Sequence, residues 1–384
     1  MKAHWENLRS ELDQIKSKDL YRECKEFEGL DFCSNDYLGL ARSKVLRDAL
    51  ALAMPENTTG STASRLVKGH RKGMEDFETK FAEFVESESS LLVSTGYVAN
   101  MGLLDTIADS QTYIFTDRLN HASILDGIRI SGANKKYYNH LDLDHLESQL
   151  AKAVSEQSSA RKKRIIVSET LFSMDGDVPN IKRLIEIKRK YDCILVLDEA
   201  HSFGVFGREG RGMIFESLTA SEVAEIEYRV YTLGKSLGLE GGIIATSKIG
   251  REYLINRMRA FIFSTAPLPI ISITALSALK LVQEAEKQRA HLMEISKCFL
   301  DGMIQAGFQI APSTTHIIPV LMPSEAISLQ YSKLLSEFGF DIRAIRPPTV
   351  PTSRLRVSLN ALITMSEIES LLGAFQKIRE KISD

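Results

Sequence analysis

The chain has 384 residues, of which 44% are hydrophobic and 26% charged. This is the profile of a globular protein rather than a disordered or fibrous one. At about 150 residues per domain, this length holds two to three domains and can bury a core without disulfides. The 48 Lys and Arg nearly offset 50 Asp and Glu, leaving a net charge of -2. That balance lacks the basic excess of a dedicated nucleic-acid binder, but leaves room for a local basic pocket around one anionic substrate.

Residues 1–20 are polar and helix-favouring, with Leu8, Leu12 and Ile15 at helical spacing. They read as an N-terminal arm helix packed on the body. The opening Met1-Lys2-Ala3-His4-Trp5-Glu6 lacks the apolar stretch of a signal peptide, and no run approaches the roughly 18 apolar residues of a membrane span. Cys24, Cys33, Cys193 and Cys298 are scattered, with no C-x-x-C pair for zinc or thiol exchange. Cys193 reads as a buried reduced thiol in an apolar run. A cytoplasmic protein with no membrane partner and no metal is expected.

From about residue 75 to 250, short apolar runs alternate with amphipathic stretches. The segments 90–93, 113–115, 164–167, 194–197, 229–231 and 243–245 read as strands, and 74–84 and 181–190 as helices. Several of the strands are apolar on both faces, as a sheet covered on both sides by helices requires. The pattern is α/β with a mostly parallel central sheet. The C-terminal third reads as a smaller α+β domain: a long helix through 271–293, strands at 316–321, 340–345 and 355–359, and a closing helix at 365–382. In that last helix Ile368, Leu371, Leu372, Phe375 and Ile378 share one face. The expected domains are an arm (1–45), a large α/β domain (46–270) and a small α+β domain (271–384).

The sharpest segment is Leu195-Val196-Leu197-Asp198-Glu199-Ala200-His201-Ser202-Phe203-Gly204. An apolar strand ends in Asp198, and ligands of open parallel sheets bind beyond the carboxyl ends of strands. A poorly solvated carboxylate there needs a cationic or hydrogen-bonding partner. Asp198 could equally cap a helix, and the residues alone leave both readings open. Asp-Glu-Ala-His also spells a helicase-type magnesium motif, which needs an upstream phosphate loop. The chain's one Gly-Lys-Ser, Gly234-Lys235-Ser236, has Arg229 in place of the first glycine and lies after Asp198, so an NTPase is excluded.

Lys235 follows the strand at 229–231, between Gly234 and Gly238. A lysine near a strand end and shielded from water loses its proton more easily, the requirement of a Schiff-base lysine. A lone loop lysine is usually only solvated. Asp198 at a second strand end changes that balance, because a pyridoxal phosphate enzyme needs a lysine for the aldehyde and a carboxylate for the ring nitrogen. The turn Ser94-Thr95-Gly96-Tyr97-Val98-Ala99-Asn100 opens a helix after a strand, where free N–H groups suit a phosphate. His121 is either a packed histidine or one that lies flat on an aromatic cofactor.

With these residues in view, the chain resembles the α-oxoamine synthases, pyridoxal-phosphate enzymes of the aspartate-aminotransferase fold (fold type I). The resemblance is carried in order by Phe32-Cys33-Ser34-Asn35-Asp36-Tyr37-Leu38-Gly39-Leu40, Gly60-Ser61-Thr62-Ala63-Ser64-Arg65-Leu66, Phe172-Ser173-Met174-Asp175-Gly176-Asp177, Asp198 to His201, Gly207 to Gly212 and Thr232 to Lys235. It implies a homodimer with shared active sites, and roles for single residues. Lys235 would form the Schiff base with the cofactor aldehyde and Asp198 would pair with the ring nitrogen. His121 would stack on the ring, His201 would contact its hydroxyl, and Ser173 would touch the cofactor nearby. Gly96, Tyr97 and Thr232 would hold the phosphate, joined by Ser264 and Thr265 of a second subunit. Asn35 and Arg356 would hold the amino-acid carboxylate, and Arg22 and Thr349 the acyl substrate. His121 could also polarise a substrate carbonyl.

The segment Ile345-Arg346-Pro347-Pro348-Thr349-Val350-Pro351 with Arg354-Leu355-Arg356 is similar to one subset of the family. Those members condense L-alanine with a pimeloyl thioester of coenzyme A or acyl carrier protein, giving 8-amino-7-oxononanoate and CO2 on the route to biotin. The alternatives within the family use glycine with acetyl-CoA or serine with a long acyl chain. A silent scaffold subunit is disfavoured, because Lys235, Asp198 and His121 are all present.

Overall fold

The computed structural model describes residues 2–18, 20–24, 26, 28–155 and 162–383. They form two compact units, residues 35–173 with 178–289, and residues 1–34 with 174–177 and 290–384. These limits differ from those expected from the sequence. The expected break near 270 falls short because the Pro269–Glu284 helix puts Ala275, Ala278, Leu279 and Val282 into one core with Phe77 and Phe81. The arm joins the C-terminal unit because Leu30–Asp31 pairs in parallel with Phe340–Asp341.

The larger unit is built on a seven-stranded sheet. Its spatial order is Ser89–Val93, Gly242–Thr246, Tyr228–Thr232, Ile194–Asp198, Arg164–Glu169, Tyr113–Asp117, Asn134–Tyr138. Only Gly242–Thr246 runs antiparallel to its neighbours; the others are parallel. Alternation of side chains along the strands feeds two cores. Tyr231 and Ile243 pack on one side with Phe77, Phe81 and Phe203. Val230 and Ile244 pack on the other with Leu103, Leu104 and Ile124 of the Gly96–Ile107 and Ala122–Ser131 helices. The edge strand Asn134–Tyr138 escapes a hydrophobicity search, since Asn-Lys-Lys-Tyr-Tyr is polar and largely solvent-facing.

The smaller unit holds an antiparallel sheet in the order Arg343–Ile345, Arg354–Ser358, Ile317–Leu321. The Met365–Ser383 helix buries Ile368, Leu371, Phe375 and Ile378 as its periodicity predicts, while Leu372 is half-buried. Phe375 meets Phe299 and Phe308 at ring distances of 6.1 and 5.4 Å. The turn Met174–Asp177 belongs here: Asp175 pairs with Arg354, and the Gly176 carbonyl accepts from Thr315 and Ser313.

Three expectations change. The long helix through 271–293 is two helices, Pro269–Glu284 and Glu286–Gln305, with Ala285 between them. The strand at 340–345 is two short strands in different sheets. The arm helix Lys2–Ser17 forms, but it is not packed on the body: Trp5, Leu8, Leu12 and Ile15 are all exposed. Among the described residues no helix is long and apolar enough to cross a membrane.

Candidate active site

The parallel strands deliver their last residues to one edge of the large sheet. Asp198 closes its strand, Glu169 stands opposite it in register on the next, and Thr232 closes the strand on the other side. Lys235 follows Thr232 by three residues and is half-buried. Asp198 is 5% exposed. Its Oδ1 accepts from Ala200 N at 2.9 Å and its Oδ2 from Asn100 Nδ2 at 2.7 Å. No helix starts at residue 199, so Asp198 is not a helix cap. The bond to Ala200 makes a local turn of the kind Asp favours, and the second oxygen is held by Asn100.

Two hydrogen-bonded chains converge on this edge. In the first, Lys235 Nζ lies 2.7 Å from His201 Nε2, His201 Nδ1 lies 2.6 Å from the Tyr37 hydroxyl, and Tyr37 donates to Asn35 Oδ1 at 3.0 Å. A carboxamide oxygen only accepts, so the single tyrosine hydrogen goes to Asn35. His201 Nδ1 must then donate to Tyr37, and Nε2 accepts from Lys235. In the second, Asn100 joins Asp198 to Ser123, and Ser123 joins His121. Burial lowers the His121 pKa most; Asp198 opposes this and Lys235 adds to it, so both lie within electrostatic reach of the imidazole.

Glu169, 2% exposed, accepts the His121 backbone N–H at 2.7 Å. Burial first, then the charge of Asp198, pushes its carboxyl up to about 8. The Tyr97 ring stands edge-on to His121 at 6.1 Å, and its hydroxyl bonds Asp126. Gly96 abuts Thr232: a Cβ on Gly96 would lie 3.1 Å from the Thr232 Cβ. The start of the Gly96–Ile107 helix and Thr232 therefore form one corner.

Of the residues singled out in the sequence, the structure brings together Lys235, Asp198, His121, His201 and Asn35, and sets Gly96 against Thr232. Ser173 is buried just beyond the Arg164–Glu169 strand. Ser264 and Thr265 are exposed, with the Ser264 hydroxyl on Ala260 O. In the smaller unit, Arg22 donates to the Thr349 hydroxyl at 3.3 Å, and Arg356 is buried in its strand. Sequence reasoning missed Tyr37, Asn100, Ser123 and Glu169. The strand-end criterion applied to Asp198 would have found Glu169, had its strand been read through to residue 169.

Residues 28–375 match the family model of class I and II aminotransferases. The chain belongs to that family. A Bacillus cereus (strain Q1) protein with the provisional name 8-amino-7-oxononanoate synthase is 38% identical over 94% of each chain. Among solved structures, Sphingomonas wittichii serine palmitoyltransferase is 28% identical, with a TM-score of 0.87 over 92% of this chain and 88% of that one. The 8-amino-7-oxononanoate synthase of Francisella tularensis is 27% identical, with a TM-score of 0.78 over 93% and 99%. The resemblance read from the motifs is borne out, fold type I included: the chain is a pyridoxal-phosphate-dependent enzyme of the acyltransferase type.

Two observations fit the cofactor to these residues. Asn100 Oδ1 is buried beside Asp198 with no hydrogen-bond partner, as expected of a site completed by a bound group. The Gly96–Thr232 corner is a cradle that a side chain on Gly96 would crowd and a phosphate would suit.

Proposed function

We propose that this enzyme condenses L-alanine with a pimeloyl thioester and releases CO2, forming 8-amino-7-oxononanoate for biotin synthesis. The observation that carries the reading is the convergence of Lys235, Asp198 and His121 at one sheet edge. The 38% identity to the Bacillus cereus relative supports the choice of substrates.

Pyridoxal phosphate, when bound, supplies an aldehyde that captures amines and a ring that accepts an electron pair from Cα. Lys235 would be the amine that anchors it, and its Nζ would take the Cα proton of alanine. The His201 Nε2 lone pair beside that amine steers it and can share its proton. Asp198 would hold the ring nitrogen in its protonated form, with Asn100 and Ala200 N orienting its two oxygens. His121 would face the ring, and Ser173 and His201 would contact it, roles assigned by resemblance. Gly96, Tyr97 and Thr232 take the phosphate, with Ser264 and Thr265 supplied by a second copy in a homodimer. Asn35, whose Oδ1 accepts from Tyr37, would hold the alanine carboxylate, a role assigned by resemblance. Arg356 for the same carboxylate, and Arg22 and Thr349 for the acyl chain, are assigned by resemblance.

The likeness to serine palmitoyltransferase supports a second reading, serine with a long acyl thioester. Mass spectrometry of products formed from alanine, glycine or serine, each with pimeloyl, acetyl and palmitoyl thioesters, decides between them. The first reading requires 8-amino-7-oxononanoate from alanine and pimeloyl thioester as the dominant product. A long-chain product from serine in its place would overturn it. Running pimeloyl-CoA against the pimeloyl carrier protein settles the carrier.

A further inference from the structure

We infer that His121 works as a neutral hydrogen-bond donor through Nε2–H, and that Asn100 and Ser123 are the positioning residues that fix this tautomer. The inference deepens the proposed reaction and rests on it for the acceptor, the thioester or keto oxygen of the acyl substrate.

The argument turns on which groups can donate. Ser123 N lies 3.2 Å from His121 Nδ1. A backbone N–H can only donate, so Nδ1 presents its lone pair. Ser123 Oγ lies 2.7 Å from the same nitrogen and also receives Asn100 Nδ2 at 3.1 Å. The hydroxyl takes the amide hydrogen on a lone pair and sends its own hydrogen to Nδ1. Asn100 Nδ2 directs a hydrogen to Asp198 Oδ2. The opposite amide orientation would set an oxygen against that carboxylate. The donors therefore run from Asn100 outward, to Asp198 on one side and through Ser123 to His121 on the other. An imidazole whose Nδ1 is an acceptor carries its hydrogen on Nε2.

Protonating Nδ1 would set a second N–H against that of Ser123. Ser123 is in the first turn of the Ala122–Ser131 helix, which His121 caps, so its N–H direction is fixed. The positive end of the helix also disfavours an imidazolium. The groups facing His121 from the packed elements are Asp198, Lys235, Glu169 through the backbone N–H, and the Tyr97 ring with Asp126 behind it. Burial and Lys235 together outweigh Asp198, and the net shift is downward. Among the described residues none bonds Nε2, and the side chain keeps an open face. As the acyl carbon is attacked, negative charge grows on its oxygen. Nε2–H stabilises that charge as a fixed donor, and the proton stays on Nε2.

The test is 15N NMR of the full chain with labelled histidine, with and without pyridoxal phosphate, from pH 8 to pH 5.5. His121→Asn, which keeps a favoured capping residue, identifies the signal. The expected spectrum shows the Nε2–H tautomer at pH 7 in both states, titrating below the free value of about 6.5. Ser123→Ala removes the hydroxyl donor but keeps the backbone N–H, so it should weaken the preference for the Nε2–H tautomer and raise the titration point by about half a unit or more. An imidazolium or an Nδ1–H form dominating the wild-type protein at pH 7 overturns the inference, and so does a Ser123→Ala spectrum identical to wild type. If Ser123→Ala does not fold, the wild-type spectrum still decides. These spectra do not depend on turnover, so they can fail while the alanine condensation stands, and the reverse.

Discussion

Glu169→Gln gives a direct test of the charge distribution at the sheet edge. The native carboxyl is 2% exposed and is raised from 4.5 to about 8, by burial and then by the charge of Asp198. Below pH 4.5 the folded and unfolded chains both hold the proton, and Glu169 has no pH-dependent effect. Above it the unfolded chain releases the proton while the folded chain keeps it. Stability is therefore lost as pH rises from 4.5 to about 8, and levels off beyond. The interval is 8 − 4.5 = 3.5; at about 1.4 kcal/mol per pH unit the ceiling is about 5 kcal/mol. The opposing charge of Lys235 acts on the same carboxyl, so the measured difference lies below that ceiling. Glutamine keeps an oxygen for the His121 N–H and cannot ionise. The variant and the wild type should match at pH 5, and the variant should be the more stable at pH 8. Urea unfolding followed by circular dichroism at pH 5, 6, 7 and 8, on cofactor-free protein, measures the difference. Two curves that stay parallel across that range refute the reasoning.

Lys235→Ala should abolish both the visible absorbance of the bound cofactor and product formation, checked by an absorbance scan and a product assay. Wild-type protein that stays colourless after addition of pyridoxal phosphate would falsify the site as drawn. Asp198→Asn should keep part of the cofactor and lose most turnover, because one amide oxygen cannot satisfy both Ala200 N and Asn100 Nδ2 and the anion proposed for the ring nitrogen is removed. Near-normal turnover in a cofactor-loaded sample removes Asp198 from its role. Glu78 is buried between Arg65 and Arg251 and also accepts Leu92 N at 2.7 Å. Glu78→Ala leaves two guanidinium groups without their anion and should cost about 3–5 kcal/mol, read as a lowered unfolding midpoint.

The sequence displayed most of the large sheet because its strands are buried on both sides and therefore continuously apolar. Asn134–Tyr138 was invisible for the opposite reason, being a polar edge strand. The strands ending at Glu169 and Thr232 were read short because their last residues are polar, and those residues stand with Asp198 at the site edge. Lys235 and Asp198 stood out because each chemistry calls for one residue type at a strand end. Tyr37, Asn100 and Ser123 did not, because their part depends on which hydrogen points where. The exposed stripe of the arm helix shows the same limit: helical periodicity reveals an apolar face but not what meets it.

Glu169 and Asp198 are partners in register on adjacent parallel strands. Two carboxylates so placed cannot share one charge state without cost, and their surroundings separate them. Asp198 receives two donors, Ala200 N and Asn100 Nδ2, one on each oxygen. Glu169 receives one backbone N–H on Oε1, and feels the charge of Asp198 and, more weakly, of Asp117 at the end of the next strand. Burial and the charge of Asp198, opposed by Lys235, thus push the Glu169 carboxyl up to about 8. If Glu169 were also ionised, a second anion would lie against the His121 main chain and favour the imidazolium. A protonated Glu169 at the His121 main chain and a neutral His121 imidazole therefore support each other.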